Sequence, residues 1–205
     1  MRAASRGCSV LSPDEIRARF ERVQAQVGPG VTVVAATKYV PLADMARLVE
    51  AGITVVGENR AQDLEAKHAE YGDAFTWHFI GHLQSNKVKV VNRICTLVHS
   101  LDSESAARRL EVPALVQVNL SGEPSKSGVE PGEIPAYLDY DVRGLSTMPP
   151  AAATPDDSRA WFSRLRVLAR EHGLGELSMG TTQDFAVAAE EGATHVRVGS
   201  ILFRD

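Results

Sequence analysis

Cysteine is nearly absent: the 205 residues include two, Cys8 in a polar leader and Cys95 in an apolar run. That excludes a disulfide framework and a paired-cysteine metal site, and a reducing cytoplasm is the expected compartment. No run approaches the ~20 apolar residues of a membrane span, and the first residues, MRAASRGCSV, lack an apolar stretch of signal length. An excess of basic charge is also missing. Lys plus Arg number 22 against 26 Asp plus Glu, a net charge of −4 with the signs mixed along the chain. Without a basic stripe, binding to nucleic acid or to a membrane surface is not expected. A glycine fingerprint of the GxGxxG type does not follow the first predicted strand, so the usual dinucleotide site is absent.

What is present is an alternation. Residues 1–11 read as a flexible leader and 12–205 as a folded domain. Ser12 as N-cap, Pro13 and the acids after it open a helix whose Ile16, Phe20, Val23 and Val27 repeat at helical spacing. VTVVAATK then has the unbroken apolar pattern of a strand buried on both faces. Helices are expected over 42–51, 61–70, 84–91, 103–110, 155–172 and 183–191. They alternate with the strands ITVVGEN, TWHFIG, TLVHSLD, ALVQVNL, VRGLSTM, LSMG and HVRVGS, with a brief further segment near 134–138. Eight strands interleaved with helices predict a (β/α)8 barrel, an open doubly wound sheet being the other reading. Five residues after the last strand leave no room for an eighth helix, so the helix at 13–27 is expected to cover that gap.

In a barrel, reactive groups sit at the C-terminal ends of the strands. Those positions hold Thr37 and Lys38, Glu58 and Asn59, Gly81 and His82, Ser100 and Asp102, Asn119, Thr147 and Met148, Ser178 to Gly180, and Gly199 and Ser200. Lys38 closes an apolar run. Desolvation inside a barrel mouth would lower its amine pKa and make it a nucleophile toward an aldehyde; the bland reading is a lysine that reaches into water. SMGTTQDF and RVGS place hydroxyls and backbone N–H groups where barrels frequently bind phosphate, or else supply an ordinary N-cap and turn. Strand period puts Arg197 and Gly199 on one face, directed inward or into solvent. Within a strand, His78 and His82 are too far apart to share a metal, and no metal site is expected.

The runs AATK, VVGENRAQD, WHFIGHLQSNKVK, HSLDS, LVQVNLSGEPSKSG, GLSTM and LSMGTTQDFAVAAEEGATHVRVGS, spread over residues 35–200, resemble the pyridoxal phosphate homeostasis proteins, relatives of the alanine racemase barrel domain. The resemblance implies a single (β/α)8 barrel with an additional N-terminal helix and no C-terminal β domain. It also implies that Lys38 carries pyridoxal 5′-phosphate as a Schiff base and that Ser178, Thr182, Gly199 and Ser200 bind the phosphate. Arg197 would face the pyridine nitrogen, with Asn59, His82 and Met148 lining the pocket. The implied role is to buffer the cofactor or deliver it to apo-enzymes, as a monomer and without a catalytic residue of its own. The chain departs from the family pattern at Thr181 and Thr182 (usually Met-Ser), at Ser146 (usually Met), in a short 103–112 segment and in the early end at ILFRD. An amino-acid racemase is the alternative. It needs a second base, which related enzymes draw from another domain; Tyr39, alternating to the opposite face from Lys38, is a poor substitute. A cofactor-free Schiff-base aldolase would need a second acid or lysine inside the barrel, for which Asp102 is the only obvious candidate.

Overall fold

The computed structural model describes residues 11–203. Cys8 and nearly all of the expected leader lie outside them. Leu11, expected to be flexible, is buried in the core, and its carbonyl accepts from Arg47 Nη1 at 3.3 Å.

Helix α1 (Pro13–Val27) starts as its sequence dictates. Ser12 and Glu15 form a reciprocal capping box, Pro13 occupies the first turn, and Ile16, Val23 and Val27 are buried. The strands are β1 (Thr32–Ala36), β2 (Val55–Glu58), β3 (Thr76–Phe79), β4 (Leu97–Leu101), β5 (Ala114–Gln117), β6 (Val142–Ser146), β7 (Glu176–Ser178) and β8 (His195–Val198). They pair in sequence order, all parallel, and close through β1 against β8. This is the (β/α)8 barrel; the doubly wound sheet is excluded by the closure.

Helices α2 (Met45–Glu50), α3 (Ala61–Tyr71), α4 (Val88–Ile94), α5 (Glu104–Ala107), α6 (Arg159–Glu171) and α7 (Phe185–Glu190) surround the barrel. Each turns an apolar stripe toward the strands, as Phe162, Leu165 and Ala169 do on α6. Burying one such side chain stabilises by roughly 1.5–3 kcal/mol, which is why these short helices hold their places. Several are shorter than their apolar periodicity suggests. Residues 42–44 and 155–158 wind as 3-10 turns ahead of α2 and α6. Residues 84–87 form a turn closed by Lys87 N to Gln84 O at 2.8 Å, so α4 begins four residues late. The segment near 134–138 is a 3-10 helix, Pro131–Tyr137.

One expectation is corrected. A last helical turn does form after β8, α8 (Ser200–Phe203), with Leu202 and Phe203 buried. The apolar run ILF is enough to wind one turn against the core. Helix α1 packs on α2, α7 and α8 and so covers the seam as anticipated. No helix among the described residues is long and apolar enough to cross a membrane.

Candidate functional site

At the C-terminal end of the barrel lies a cavity of about 370 Å³, lined among others by Lys38, Asn59, Met148, Thr182, Arg197, Gly199 and Ser200. These come from the ends of β1, β2, β6, β7 and β8, positions more than 150 residues apart in the chain that only closure of the sheet brings together.

Arg197 forms the floor. Its guanidinium is buried. Nη1 donates to Ser178 O at 2.9 Å and to Ser178 Oγ, and Nη2 to Thr147 O at 2.8 Å and Met148 Sδ at 3.0 Å. Burial lowers its pKa to about 10, which leaves it cationic at neutral pH. Among the described residues no carboxylate pairs with it.

Lys38 stands at the rim. Its surroundings correct the expected desolvated mouth: β1 ends at Ala36, and two residues of turn carry the side chain out to solvent. Nζ lies 4.8 Å from the centroid of the Tyr39 ring, and both residues line the cavity. The alternation that would send Tyr39 to the opposite face does not apply beyond the end of the strand.

Thr182 and Gly199 form the wall beside the end of β1. Gly199 N donates to Thr182 Oγ1 at 3.2 Å, tying the β7–α7 loop to the end of β8. Neither Thr181 nor Thr182 caps α7. Asp184 holds that position, with Oδ1 accepting from Thr181 N at 2.7 Å and Oδ2 from Ser158 Oγ at 2.8 Å. Thr182 therefore keeps its hydroxyl at the cavity. Asn59 Oδ1 is buried there without a partner.

Two predicted site residues fall elsewhere. Ser178 lies one layer below the cavity, inside the barrel, with its hydroxyl taken by Arg197 and His99. At β3, Ile80 fills the place at the cavity, and Gly81 turns the chain so that His82 Nδ1 meets Asp102 Oδ2 at 3.4 Å instead. Burial raises the Asp102 pKa, and His82 opposes it. Asp102 is thus engaged at the rim and does not line the cavity beside Lys38.

Sequence reasoning missed two buried polar groups. One is the ion pair of Lys67 and Glu58 with Thr37, behind β1. The other is a set of inward histidines, His78, His99 and His195. The signal for the second was strand period: His78 shares a face with Ile80, and His195 with Arg197. The described residues contain no group of three or more His, Cys, Asp or Glu that could hold a metal ion.

A single barrel with a lysine after β1 and a buried arginine and a glycine turn at β8 defines the class. The family described as "Alanine racemase, N-terminal domain" matches residues 11–205. The chain is 37% identical over 222 residues to the "Pyridoxal phosphate homeostasis protein" of Aquifex aeolicus, covering 96% of each. To the protein of that name from Pseudomonas aeruginosa it is 38% identical over 192 residues, covering 84% of each. The chain belongs to the pyridoxal phosphate homeostasis protein family. Among solved structures, PipY of Synechococcus elongatus with PLP bound superposes with a TM-score of 0.83 at 34% identity, covering 92% of this chain and 99% of that one. A lysine/ornithine decarboxylase of Vibrio vulnificus, 16% identical with a TM-score of 0.73, shares the fold.

Proposed function

We propose that this chain binds pyridoxal 5′-phosphate in the cavity at the mouth of its barrel and serves cytoplasmic homeostasis of that cofactor, buffering it or handing it to apo-enzymes as a monomer. The observation that carries this reading is that Lys38, Arg197 and the Thr182–Gly199–Ser200 wall line one cavity of about 370 Å³. The donor set matches the group's chemistry. An amine at the rim suits an aldehyde, hydroxyl and backbone N–H groups on the wall beside β1 suit a phosphate, and a cation at the floor suits an aromatic ring nitrogen. The PLP-bound PipY structure supports the same assignment.

When bound, the cofactor supplies an aldehyde conjugated to an electron-withdrawing ring. The residues of the chain do the rest. Lys38 holds the aldehyde from a solvent-open position, which suits loading and unloading. Thr182 and Ser200 orient the phosphate. Arg197 keeps a fixed positive charge at the ring edge, which opposes a second positive charge on the ring nitrogen and so weakens amino-acid chemistry at this site.

Purified protein mixed with pyridoxal phosphate is expected to develop a visible absorbance band that Lys38→Ala abolishes. A wild-type chain that stays colourless would sink the proposal. The racemase reading is tested on the loaded protein by loss of optical rotation with alanine and other amino acids, where no turnover above that of free cofactor is expected. Loading of an apo-enzyme in the presence of a free-aldehyde trap then distinguishes delivery from storage.

A further inference from the structure

Below the cavity, the barrel interior carries a chain of polar groups that leads up to Arg197 and, apart from that residue, has no part in the function proposed above. His78 comes from β3, His99 from β4, Ser178 from β7, and His195 and Arg197 from β8. The strands β4 and β8 lie on opposite sides of the barrel, so the 5.2 Å between the ring centroids of His99 and His195 is a contact across its interior.

The order of the protons follows from which groups can accept. A guanidinium only donates, so Ser178 Oγ accepts from Arg197 Nη1. The hydroxyl proton of Ser178 is then directed to His99 Nδ1, 2.7 Å away, which must be the acceptor nitrogen. A neutral imidazole with an accepting Nδ1 carries its proton on Nε2, and His99 Nε2 lies 2.9 Å from His78 Nδ1. Each link therefore donates away from the guanidinium, and both imidazoles are neutral. A protonated His99 would leave the Ser178 hydroxyl proton with no acceptor among its two partners, and would place two cations in one dry interior.

We propose that Ser178 and His99, backed by His78, are positioning residues for Arg197. They hold its guanidinium at the cavity floor through neutral acceptors in place of a carboxylate, so that its charge stays available to the ligand. This rests on the reading of the cavity as the pyridoxal phosphate site. The titratable and charged groups around this interior are His78 on β3, His99 on β4, His195 and Arg197 on β8, and Asp184 at the start of α7, whose charge acts on Arg197 from a distance. Burial lowers His78 to about 3 and His195 to about 4, with His195 adding to the effect on His78 and Arg197 to the effect on His195. Burial likewise holds His99 well below the ordinary histidine range. While the chain is intact, His78 and His195 stay neutral between pH 5 and 8, and burial disfavours a proton on His99.

The test compares pyridoxal phosphate dissociation constants of wild type, Ser178→Ala, Ser178→Thr and His99→Gln at pH 8 and pH 5, read from the visible band. Losing one hydrogen bond to a charged group predicts about tenfold weaker binding for Ser178→Ala at pH 8. The ratio to wild type should be the same at pH 5, because burial and Arg197 still hold His99 well below the ordinary histidine range. Ser178→Thr, which keeps the hydroxyl, should restore wild-type behaviour. His99→Gln repeats the comparison if Ser178→Ala does not fold. A merely structural role would lower the melting temperature and leave cofactor binding by the folded variants unchanged, with Ser178→Thr no closer to wild type than Ser178→Ala, which would overturn the proposal. A wild type without a band would instead remove the cavity reading, and this inference with it.

Discussion

Lys67 on α3 donates to the carbonyl of Thr37 at 2.8 Å and is ion-paired with Glu58, fixing from behind the turn that presents Lys38. Both partners are buried. Thr37 Oγ1 donates to Glu58 Oε1 at 2.6 Å, and Glu58 Oε2 has no partner. Removing one member of such a pair strands the other charge in a dry interior. Lys67→Met should therefore cost about 3–5 kcal/mol of unfolding free energy in urea titrations, and the double variant Glu58→Gln/Lys67→Met should cost less than Lys67→Met alone. Equal losses in the two would show that the pair is not coupled.

Gly81 carries the chain past Asn59 with no room for a side chain. A Cβ there would come within 2.0 Å of the Asn59 carbonyl oxygen, which is backbone and cannot rotate away. Gly81→Ala should displace the end of β2, costing about 1–3 kcal/mol and weakening cofactor binding through Asn59. Unchanged stability and binding in the same titrations would count against the tight approach.

The inward histidines make stability depend on pH. In the folded chain burial holds their pKa values below the usual 6.5, to about 3 for His78 and about 4 for His195. The unfolded chain binds more protons below about pH 6.5, so stability is full above that pH and falls as the pH drops toward the folded values. On the order of 2 kcal/mol should be lost for each of these two residues by pH 5. Urea midpoints measured from pH 8 to pH 5 test this, and a flat profile would mean that these rings are solvated.

Thr182 joins the β7–α7 loop to the end of β8 through Gly199 N. Thr182→Val keeps the shape and removes the hydroxyl. Cofactor affinity should drop about tenfold while the melting temperature changes little, since the lost bond is only partly buried. Isothermal titration with pyridoxal phosphate measures it, and wild-type affinity would remove Thr182 from the phosphate wall.

The barrel was legible in the sequence because each βα unit writes its own pattern: continuous apolar strands such as TVVAA, then a stripe such as Phe162, Leu165 and Ala169. Lys38, Asn59, Met148, Gly199 and Ser200 could be read from strand ends, since the fold brings all strand ends to one mouth, whereas Thr182 and Arg197 came from the loop after β7 and from strand period, and the family resemblance singled out the set. What failed depends on where a strand stops. Tyr39 and His82 were placed by extending strand geometry past Ala36 and Phe79, into turns where alternation no longer holds. Ser178 was placed one layer too high, because a residue's depth along a tilted strand is set by stagger between strands, which no local pattern records. The Lys67 and Glu58 pair joins a helix to a strand end, and its partners could be matched only once α3 was docked.

The central claim is that the rim lysine is the point of attachment. Loaded protein reduced with borohydride, digested and mapped by mass spectrometry tests it most directly. A pyridoxyl adduct confined to Lys38, and absent from Lys38→Ala, is the predicted result. An adduct spread over Lys67, Lys87 and Lys89, or one that persists at equal yield in Lys38→Ala, would contradict it.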